Sequence, residues 1–309
     1  MKRLLLLFIG AQLALTTLAR DFEYTYEGQT LTYSIISEAL KNCRVVPGSN
    51  TAGLTGDITI PDQIQDGEKT YKVTHIGKKA FYQCSNLTSV TMPATITTIE
   101  DHAFEGCTAM TRADIPAAVT KIGYCAFSYC SSLVSATLPE HLTIIENCTF
   151  EGCSSLESIV IPPNVTEIGS CAFMYCSKLN SVTLPASIAE MGEFIFYKCG
   201  SLKSVYYNCE EPLERSYDNF LDCPEDATLY VPASAVEKCK LIEPWYMFKN
   251  IEAFDFNDIK EINADGHDAN EPCEIYTLSG IKTGTSMSGL TPGIYIVRQG
   301  KDKQKVIVK

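Results

Sequence analysis

The chain has little of what most enzymes and nucleic-acid-binding proteins need. Of its 309 residues only four are histidines, and none of these stands in an HExxH or Cys-x-x-Cys context typical of zinc enzymes. A glycine-rich phosphate loop and a nucleophile elbow are both missing from the sequence. The 25 lysines and arginines form no long run and are outnumbered by 37 acidic residues, which argues against a nucleic-acid partner. We therefore predict a non-enzymatic protein with no catalytic residues, no cofactor and no metal site.

Long apolar runs are missing after the N-terminus. There, Lys2 and Arg3 precede the apolar run Leu4–Leu15 and the small-residue sequence Thr17-Leu18-Ala19, an order typical of a cleaved signal peptide. The run is too short to cross a bilayer, and no later stretch reaches about 18 apolar residues, so we expect no transmembrane span. We predict that residues 1–19 direct export. The mature chain would then act at the cell surface or outside the cell, with the periplasm as a further location.

The chain is rich in one repeated pattern of 23 residues. Phenylalanine recurs at this interval six times, at Phe81, Phe104, Phe127, Phe150, Phe173 and Phe196. Three residues after each phenylalanine stands a cysteine, at Cys84, Cys107, Cys130, Cys153, Cys176 and Cys199. Leucine, or once methionine, follows three residues later, at Leu87, Met110, Leu133, Leu156, Leu179 and Leu202. A fixed period of this length indicates a solenoid, in which each repeat buries its apolar side chains against its neighbours.

One repeat shows how the coil is built. In Leu156–Ile161 the first, fourth and sixth residues are apolar, which predicts a strand, and Pro162 ends it because proline cannot donate to a ladder. Val165 and Ile168 then point back inward. Stacked coils would place successive strands about 4.8 Å apart in a parallel sheet. The predicted fold class is a β-rich solenoid with a parallel sheet, capped at both ends and followed by a small C-terminal β-sandwich-like module.

The repeat resembles that of a known family. Residues 168–185 match the pattern Ile-Gly-x-x-Ala-Phe-x-x-Cys-x-x-Leu-x-x-Ile-x-Ile-Pro almost letter for letter, with Val182 and Leu184 at the two final apolar positions. This is the pattern of BspA-like, or treponemal-type, leucine-rich repeat proteins. The resemblance implies an exported bacterial surface protein, in a family whose roles include adhesion to host matrix proteins or to other bacteria.

The regions that flank the repeats are predicted to be caps. Residues 20–73 lack the period but contain strand patterns at Gln29–Ile36, Asn42–Val46 and Gly56–Ile60, and a nine-residue insertion around residues 66–69 lengthens the coil that leads into the repeats. Residues 74–205 hold the repeats, and residues 206–254 form the C-terminal cap. In that cap we predict a helix from Ser234 to about Ile242 and a buried Trp245 that closes the core.

The last residues are predicted to form a separate unit. Residues 255–272 are polar and are interpreted as a linker, and residues 273–309 return to strand patterns such as Gly293–Val297 and the basic Gln304–Lys309. This module resembles a shortened form of the C-terminal β-sandwich sorting domain of type IX secretion substrates. It is shorter than that family and lacks its proline-rich opening. The resemblance implies a role in sorting or attachment.

Fourteen cysteines in an exported chain would ordinarily indicate disulfides. Their placement in repeat slots instead favours reduced, inward-facing ladders of small apolar side chains, although neighbouring rungs are close enough for bridging. Cys125, Cys148 and Cys171 share a second slot with His102. Such a set could in principle surround zinc, but side chains of a ladder run parallel to one another, whereas a tetrahedral site needs them to converge. We therefore expect a partly exposed histidine there.

Function is sought at the positions that break the repeat on the outward side of the strands. Most of these positions hold serine or threonine; the exceptions able to make directional or aromatic contacts are Arg112, Asp114, Glu157, Lys203 and Tyr206. The leading hypothesis is a binding protein that holds a host matrix or surface protein, or a glycan, on this face. The alternative is a structural spacer or envelope component without a soluble ligand. An enzyme acting on surface polymers would have to draw its chemistry from the caps or the tail.

Overall fold

The computed structural model describes residues 20–49, 51–214 and 218–255, together with the backbone of five strands between residues 259 and 308. Within it the predicted fold class is confirmed: the repeats form a solenoid of parallel strands. The predicted signal peptide, residues 1–19, lies outside the described residues.

The solenoid has two walls of parallel strands. The longer strands stack along one side of the solenoid in three hydrogen-bonded groups, which we together call the front sheet. The groups are Thr55–Thr59 with Asn86–Thr91; Arg112–Asp114 with Ser135–Thr137; and Ser158–Val160, Ser181–Leu184, Ser204–Tyr207, Thr228–Val231 and Asn250–Ala253. Short strands form the second wall at Thr98–Ile99, Lys121–Ile122, Ile144–Ile145, Glu167–Ile168 and Glu190–Met191. The front strands pair one repeat apart, as in Ile159 opposite Val182 and Val182 opposite Val205, so equivalent residues of successive repeats stack.

The phenylalanines form one continuous stack through the core. All six rings of the repeats are fully buried, and successive centroids lie 5.1 to 5.6 Å apart with planes within 10° of parallel. The stack extends beyond the predicted repeats, because Phe220 lies 5.2 Å from Phe196. Cys223 likewise continues the cysteine ladder by donating to the Phe196 carbonyl at 3.2 Å. The end of the period near Val205 therefore marks a change of spacing, and one more coil follows.

The N-terminal cap contains its predicted strands and three more. Asp21–Tyr26, which was not predicted, pairs with Gln29–Ser37, and this strand pairs in turn with Asn42–Val46. The nine-residue insertion forms an antiparallel hairpin of Gln63–Asp66 and Lys69–Ile76, with Gly67 at φ 63° in its turn. A short 3-10 turn at Thr51–Gly53 precedes the first front strand. Lys69–Ile76 pairs in parallel with Asn42–Val46 on one side and with Thr98–Ile99 on the other, so the insertion joins the N-terminal strands to the second wall.

The C-terminal cap closes the other end around Trp245. Its side chain is fully buried, its Nε1 donates to the Leu213 carbonyl at 2.8 Å, and its ring lies 4.6 Å from that of Tyr207. This confirms the prediction that Trp245 is buried and closes the core. The predicted helix is shorter than expected: a 3-10 turn at Ala233–Ala235 leads into the α-helix Val236–Cys239, with no side-chain cap. A second 3-10 turn at Trp245–Met247 follows.

The C-terminal strands form a separate five-stranded sheet. In sheet order they are Ile259–Glu261, Asp302–Val308, Gly293–Gln299, Cys273–Thr277 and Lys282–Gly284. The strand patterns predicted at Gly293–Val297 and Gln304–Lys309 fall in the strands Gly293–Gln299 and Asp302–Val308, with Lys309 outside the described residues. The region predicted as a linker differs, because Ile259–Glu261 pairs in parallel with Asp302–Val308.

Candidate functional site

The outward face of the front sheet brings Arg112 and Asp114 together. They flank the buried Ala113 on one short strand, so both side chains point away from the core. Arg112 Nε donates to Asp114 Oδ1 at 2.5 Å, and the two side chains are 66% and 62% exposed. Their strand is held in register by Ser135–Thr137, where Ser135 lies opposite Arg112 and Thr137 opposite Asp114. The pair is thus an exposed ion pair on a fixed backbone.

Glu157 and Lys203 occupy the position just before a front strand, two repeats apart. Both residues are exposed. Their backbones are fixed by the preceding repeats, since the Glu157 amide donates to the Val134 carbonyl and the Lys203 amide to the Asn180 carbonyl. Two rungs separate them by roughly 10 Å along the solenoid axis. The structure therefore places an acidic and a basic group on the same edge of the sheet without pairing them directly.

Tyr206 differs from the other four candidates because its side chain is buried. Its ring stacks on Tyr230 at 4.8 Å and meets the edge of Phe254 at 5.2 Å, which leaves the residue 2% exposed. Burial also raises its pKa above the usual range of a tyrosine. Tyr230 lies on the front strand Thr228–Val231 and Phe254 directly follows the last front strand, and neither was part of the predicted repeat. Tyr206 is therefore part of a packed aromatic cluster and does not belong to the exposed surface.

The C-terminal sheet approaches the middle of the front sheet. Strand Gly293–Gln299 lies next to Ser158–Val160 and Ser181–Leu184. Ser158–Val160 is the edge strand of its hydrogen-bonded sheet, and Ser181–Leu184 is the next strand in that sheet. Arg112, Asp114 and Lys203 do not lie on these two strands.

Three exposed tyrosines were missed by the sequence reasoning. They lie on the turns that join each strand of the second wall to the next front strand, and we call this side of the solenoid the turn wall. Tyr124, Tyr129 and Tyr175 are 42%, 49% and 37% exposed. The Tyr129 hydroxyl donates to Glu151 Oε1 at 3.1 Å, and its ring lies over Gly152, where a Cβ would come within 2.6 Å of it. The signal was present in the repeat, since the slot of Tyr129 and Tyr175 otherwise holds glutamine, glycine or lysine.

The two cysteine ladders lie in different environments. The cysteines that follow the phenylalanines are fully buried. Cys84 donates to the Thr51 carbonyl, and each later thiol of the repeats donates to the phenylalanine carbonyl of the coil before it, as Cys130 does to Phe104 at 3.2 Å. Burial raises the pKa of Cys130 to about 12. This confirms the prediction that the first ladder faces the core.

The second ladder corrects the prediction that every shared slot faces inward. His102, Cys125, Cys148 and Cys171 all have left-handed backbones, with φ between 53° and 60°. This conformation turns the chain at the surface, so His102, Cys148 and Cys171 are partly exposed while Cys125 is 6% exposed. A hydrogen bond from Cys148 lowers the pKa of Cys125, and burial raises that of Cys171.

Carboxylates stand beside this second ladder. Glu105 follows His102 by three residues and is hydrogen-bonded to its Nδ1, and Glu151 follows Cys148 by three residues. The ligand atoms of His102, Glu105 and Cys125 lie within 4.8 Å of one another, and so do those of Cys125, Cys148 and Glu151. Among the described residues these are the two groups with the composition and spacing of a metal site.

Comparison with known proteins agrees with the repeat. A sequence profile described as "BspA type Leucine rich repeat region" matches six copies, over residues 58–175 and 143–265. A leucine rich cell surface protein from Faecalibacterium prausnitzii shares 24% identity over 70% of this chain and 72% of its own, with a TM-score of 0.50. The T. pallidum leucine-rich repeat protein shares 29% identity over 56% of this chain and 87% of its own, with a TM-score of 0.48. Proteins of curated function include no match.

Neither the profile nor these structures carry the name of an enzyme. In the part of the chain that the structure describes, no helix is both long and apolar enough to cross a membrane. The profile matches span residues 58–265, which is more than half of the chain. The protein therefore belongs to the BspA-type leucine-rich repeat family.

Proposed function

We propose that the protein is exported and recognises a protein or glycan outside the cell through the outward face of its front sheet. The observation that carries this proposal is that Arg112, Asp114, Glu157 and Lys203 are exposed on a sheet that otherwise presents mainly small hydroxyl side chains outward. In a repeat protein, positions that serve only packing can hold the same residue in every coil. Charged exceptions on the solvent side have no such packing role and are suited to contact a partner.

The backbone under these residues supports binding because it is already ordered. The front strands here are hydrogen-bonded to a neighbouring strand, as Arg112–Asp114 is to Ser135–Thr137 and Ser158–Val160 is to Ser181–Leu184, and the core behind them is filled by the phenylalanine stack. A surface that does not need to be ordered when it binds loses less conformational entropy, which favours affinity. The pair of Arg112 and Asp114 offers a donor and an acceptor, so a partner with a carboxylate or a hydroxyl-rich sugar could replace the intramolecular contact.

The C-terminal sheet is proposed to attach or sort the protein, on the basis of its resemblance to type IX secretion sorting domains. Mass spectrometry of the termini of the protein recovered from cell fractions tests this proposal and the export signal together. Recovery of an intact chain from the cytoplasm alone would contradict both.

A charge-reversal experiment tests the proposed face. The purified chain is screened against matrix proteins, mucin, glycans and bacterial envelope, and any binding is measured again for a variant carrying Arg112→Glu, Asp114→Lys, Glu157→Lys and Lys203→Glu. The control variant carries Lys121→Glu and Glu190→Lys, two exposed charges on the second wall. We expect the first variant to lose binding and the control to keep it, with both unchanged in circular dichroism.

Two results would contradict the proposal. Binding that survives reversal of the front charges and is lost in the control would place recognition on another wall. If all classes of partner fail to bind, the spacer alternative is favoured, because a hydroxyl-rich face with few charges is also what a structural element presents to solvent.

A further inference from the structure

We propose that Cys125, Cys148 and Glu151 form a binding site for a divalent metal ion that prefers sulfur ligands, such as Zn²⁺. Their two sulfur atoms and a carboxylate oxygen lie within 4.8 Å of one another on the turn wall of the solenoid. This site is separate from the proposed recognition face. It also revises the expectation from the sequence that the chain holds no metal.

The residue types are unusual for the backbone that carries them. Residues other than glycine rarely adopt a left-handed conformation, and asparagine and aspartate are the usual exceptions. Here the slot is left-handed in each repeat, and it holds His102, Cys125, Cys148 and Cys171 in four consecutive coils. Cysteine lacks the local advantage that asparagine, aspartate and histidine have in this conformation. Cys125 is buried, but His102, Cys148 and Cys171 are partly exposed, so packing does not require a cysteine or histidine in those three coils. Their shared feature is the ability to bind soft or borderline metal ions.

The three side chains can converge because they come from two different slots of the repeat. A single ladder presents parallel side chains, which was the objection to a zinc site. Glu151 belongs to a different slot, three residues after Cys148 in the same turn, and it approaches the sulfur atoms from the side. Cys125 comes from the coil before. One ion can therefore bind side chains from two successive coils and from two slots of the repeat, as a tetrahedral site requires.

The distances are compatible with zinc after a small movement. With bonds of about 2.3 Å to sulfur and 2.0–2.2 Å to oxygen, ligand atoms around tetrahedral zinc lie roughly 3.4–3.8 Å apart. The present spread is at most 4.8 Å, so a shift of about 1 Å closes the group. Rotation of the partly exposed Cys148 and Glu151 side chains provides that movement without disturbing the core. Water or a second group would complete the fourth position.

The neighbouring group of His102, Glu105 and Cys125 is the weaker of the two. It shares Cys125 and has only one thiol, and its histidine and carboxylate are already hydrogen-bonded to each other. Two thiolates bind zinc more strongly than one, and each must lose its proton to solvent on binding. For this reason the ion is assigned to the group with Cys148, and affinity should fall as the pH is lowered.

Cobalt titration of the reduced, metal-free, full-length chain tests the site, with Co²⁺ as the spectroscopic probe and Zn²⁺ as the competitor. We expect a thiolate-to-cobalt charge-transfer band that saturates at one equivalent and disappears when Zn²⁺ is added. Zn²⁺ should also raise the melting temperature, because an ion that binds only the folded state stabilises it.

Variants locate the ion. Glu151→Gln should weaken Zn²⁺ binding roughly tenfold or more, since even the loss of an outer-shell partner has an effect of that size. The double variant Cys125→Ser and Cys148→Ser should abolish the band. Cys209→Ser removes a partly exposed thiol outside the ladder, and Cys171→Ser removes the next thiol of the same ladder; both should bind like the parent chain.

Either of two results would overturn the proposal. The first is a reduced chain that shows no charge-transfer band at any Co²⁺ concentration, which would make the close pair of thiols a packing feature or a disulfide. The second is a band that persists in the double variant while circular dichroism shows it to be folded, which would place the ion elsewhere. Both readouts are independent of partner binding, so failure here leaves the recognition proposal unaffected.

Discussion

The two cysteine ladders have the same period but opposite environments. In the inner ladder, represented by Cys130, each thiol is fully buried and is bonded to a backbone carbonyl. In the outer ladder, represented by Cys148, the backbone is left-handed, the side chain is partly exposed and a carboxylate lies beside it. The comparison teaches that a repeated residue is not sufficient to indicate a core position. The backbone conformation of the slot decides whether the same side chain packs or is available for chemistry.

The largest difference should appear when an inner ring is removed. Phe127→Ala leaves a cavity in the middle of the phenylalanine stack, where its ring contacts those of Phe104 and Phe150. We expect a loss of about 3–5 kcal/mol in the free energy of unfolding, measured by urea denaturation. Tyr129→Ala, on the exposed wall, is the matched control and should change stability by less than about 1 kcal/mol. Equal effects of the two substitutions would remove the distinction between inner and outer columns.

The close approach of successive coils should be sensitive to a single methyl group. A Cβ on Gly169 would lie 2.5 Å from the Asn147 backbone nitrogen, so Gly169→Ala must push two rungs apart. We expect a destabilisation of about 1–3 kcal/mol in the same assay. Gly200→Ala is the control, because no atom lies within 4 Å of the Cβ it would add. Similar melting temperatures for the two variants would show that the spacing of the rungs is not rigid.

The inner thiols should make stability depend on alkaline pH. The pKa of Cys130 is raised by burial to about 12, whereas an unfolded cysteine ionises near 8.5. A raised pKa in the folded state favours the thiol, so its contribution to stability is fully present below about pH 8.5 and is lost as the pH rises toward 12. For one thiol the slope reaches about 1.4 kcal/mol per pH unit.

This contribution can be isolated with Cys130→Ala. The free energy of unfolding is measured by urea denaturation at a series of pH values. Above pH 9 it should fall less steeply with pH in the variant than in the parent chain, and the difference in slope should correspond to about one proton. Below about pH 8 the two slopes should be the same, which serves as the internal control. Parallel curves across the whole range would mean that the thiol ionises as readily when folded as when unfolded.

The smallest effect is expected on the outward face. Arg112→Ala breaks an exposed ion pair, and such pairs contribute at most about 1 kcal/mol, so we expect a change within about 0.5 kcal/mol. If the free energy of unfolding falls by more than about 1 kcal/mol, Arg112 stabilises the fold. The absence of a packing role, which is the main reason for assigning it to binding, would then be contradicted.

The core was predictable because each repeat constrains the others. A large apolar side chain in the slot of Phe127 must be buried in every coil, so the period together with the apolar character of the phenylalanine and leucine slots identifies the core and the strands. The caps were predictable in part. The insertion around residues 66–69 was recognised from the spacing, but the hairpin it forms was not predicted, and the extra coil around Phe220 was missed because its spacing is one residue longer than the period. Asn250–Ala253 was missed because a short strand at the end of a sheet has no repeat partner in the sequence.

The candidate sites were less predictable, because exposure depends on neighbours that are distant in sequence. Arg112, Asp114, Glu157 and Lys203 are exposed as the alternation of the strands indicates. Tyr206 has the same place in the pattern but lies beneath Tyr230 and Phe254, which belong to later and irregular elements.

The sequence by itself determined the period, the strands, the inner columns and the family, because all of these depend on residues that recur at one interval. Only the tertiary structure decided which columns reach the surface. The left-handed turn that exposes Cys148 and the packing of two adjacent coils that brings Glu151 close to Cys125 involve backbone geometry and contacts between coils. The repeat pattern of the sequence shows which residues share a slot. It does not show in which direction a side chain points or which side chains of neighbouring slots lie close to it.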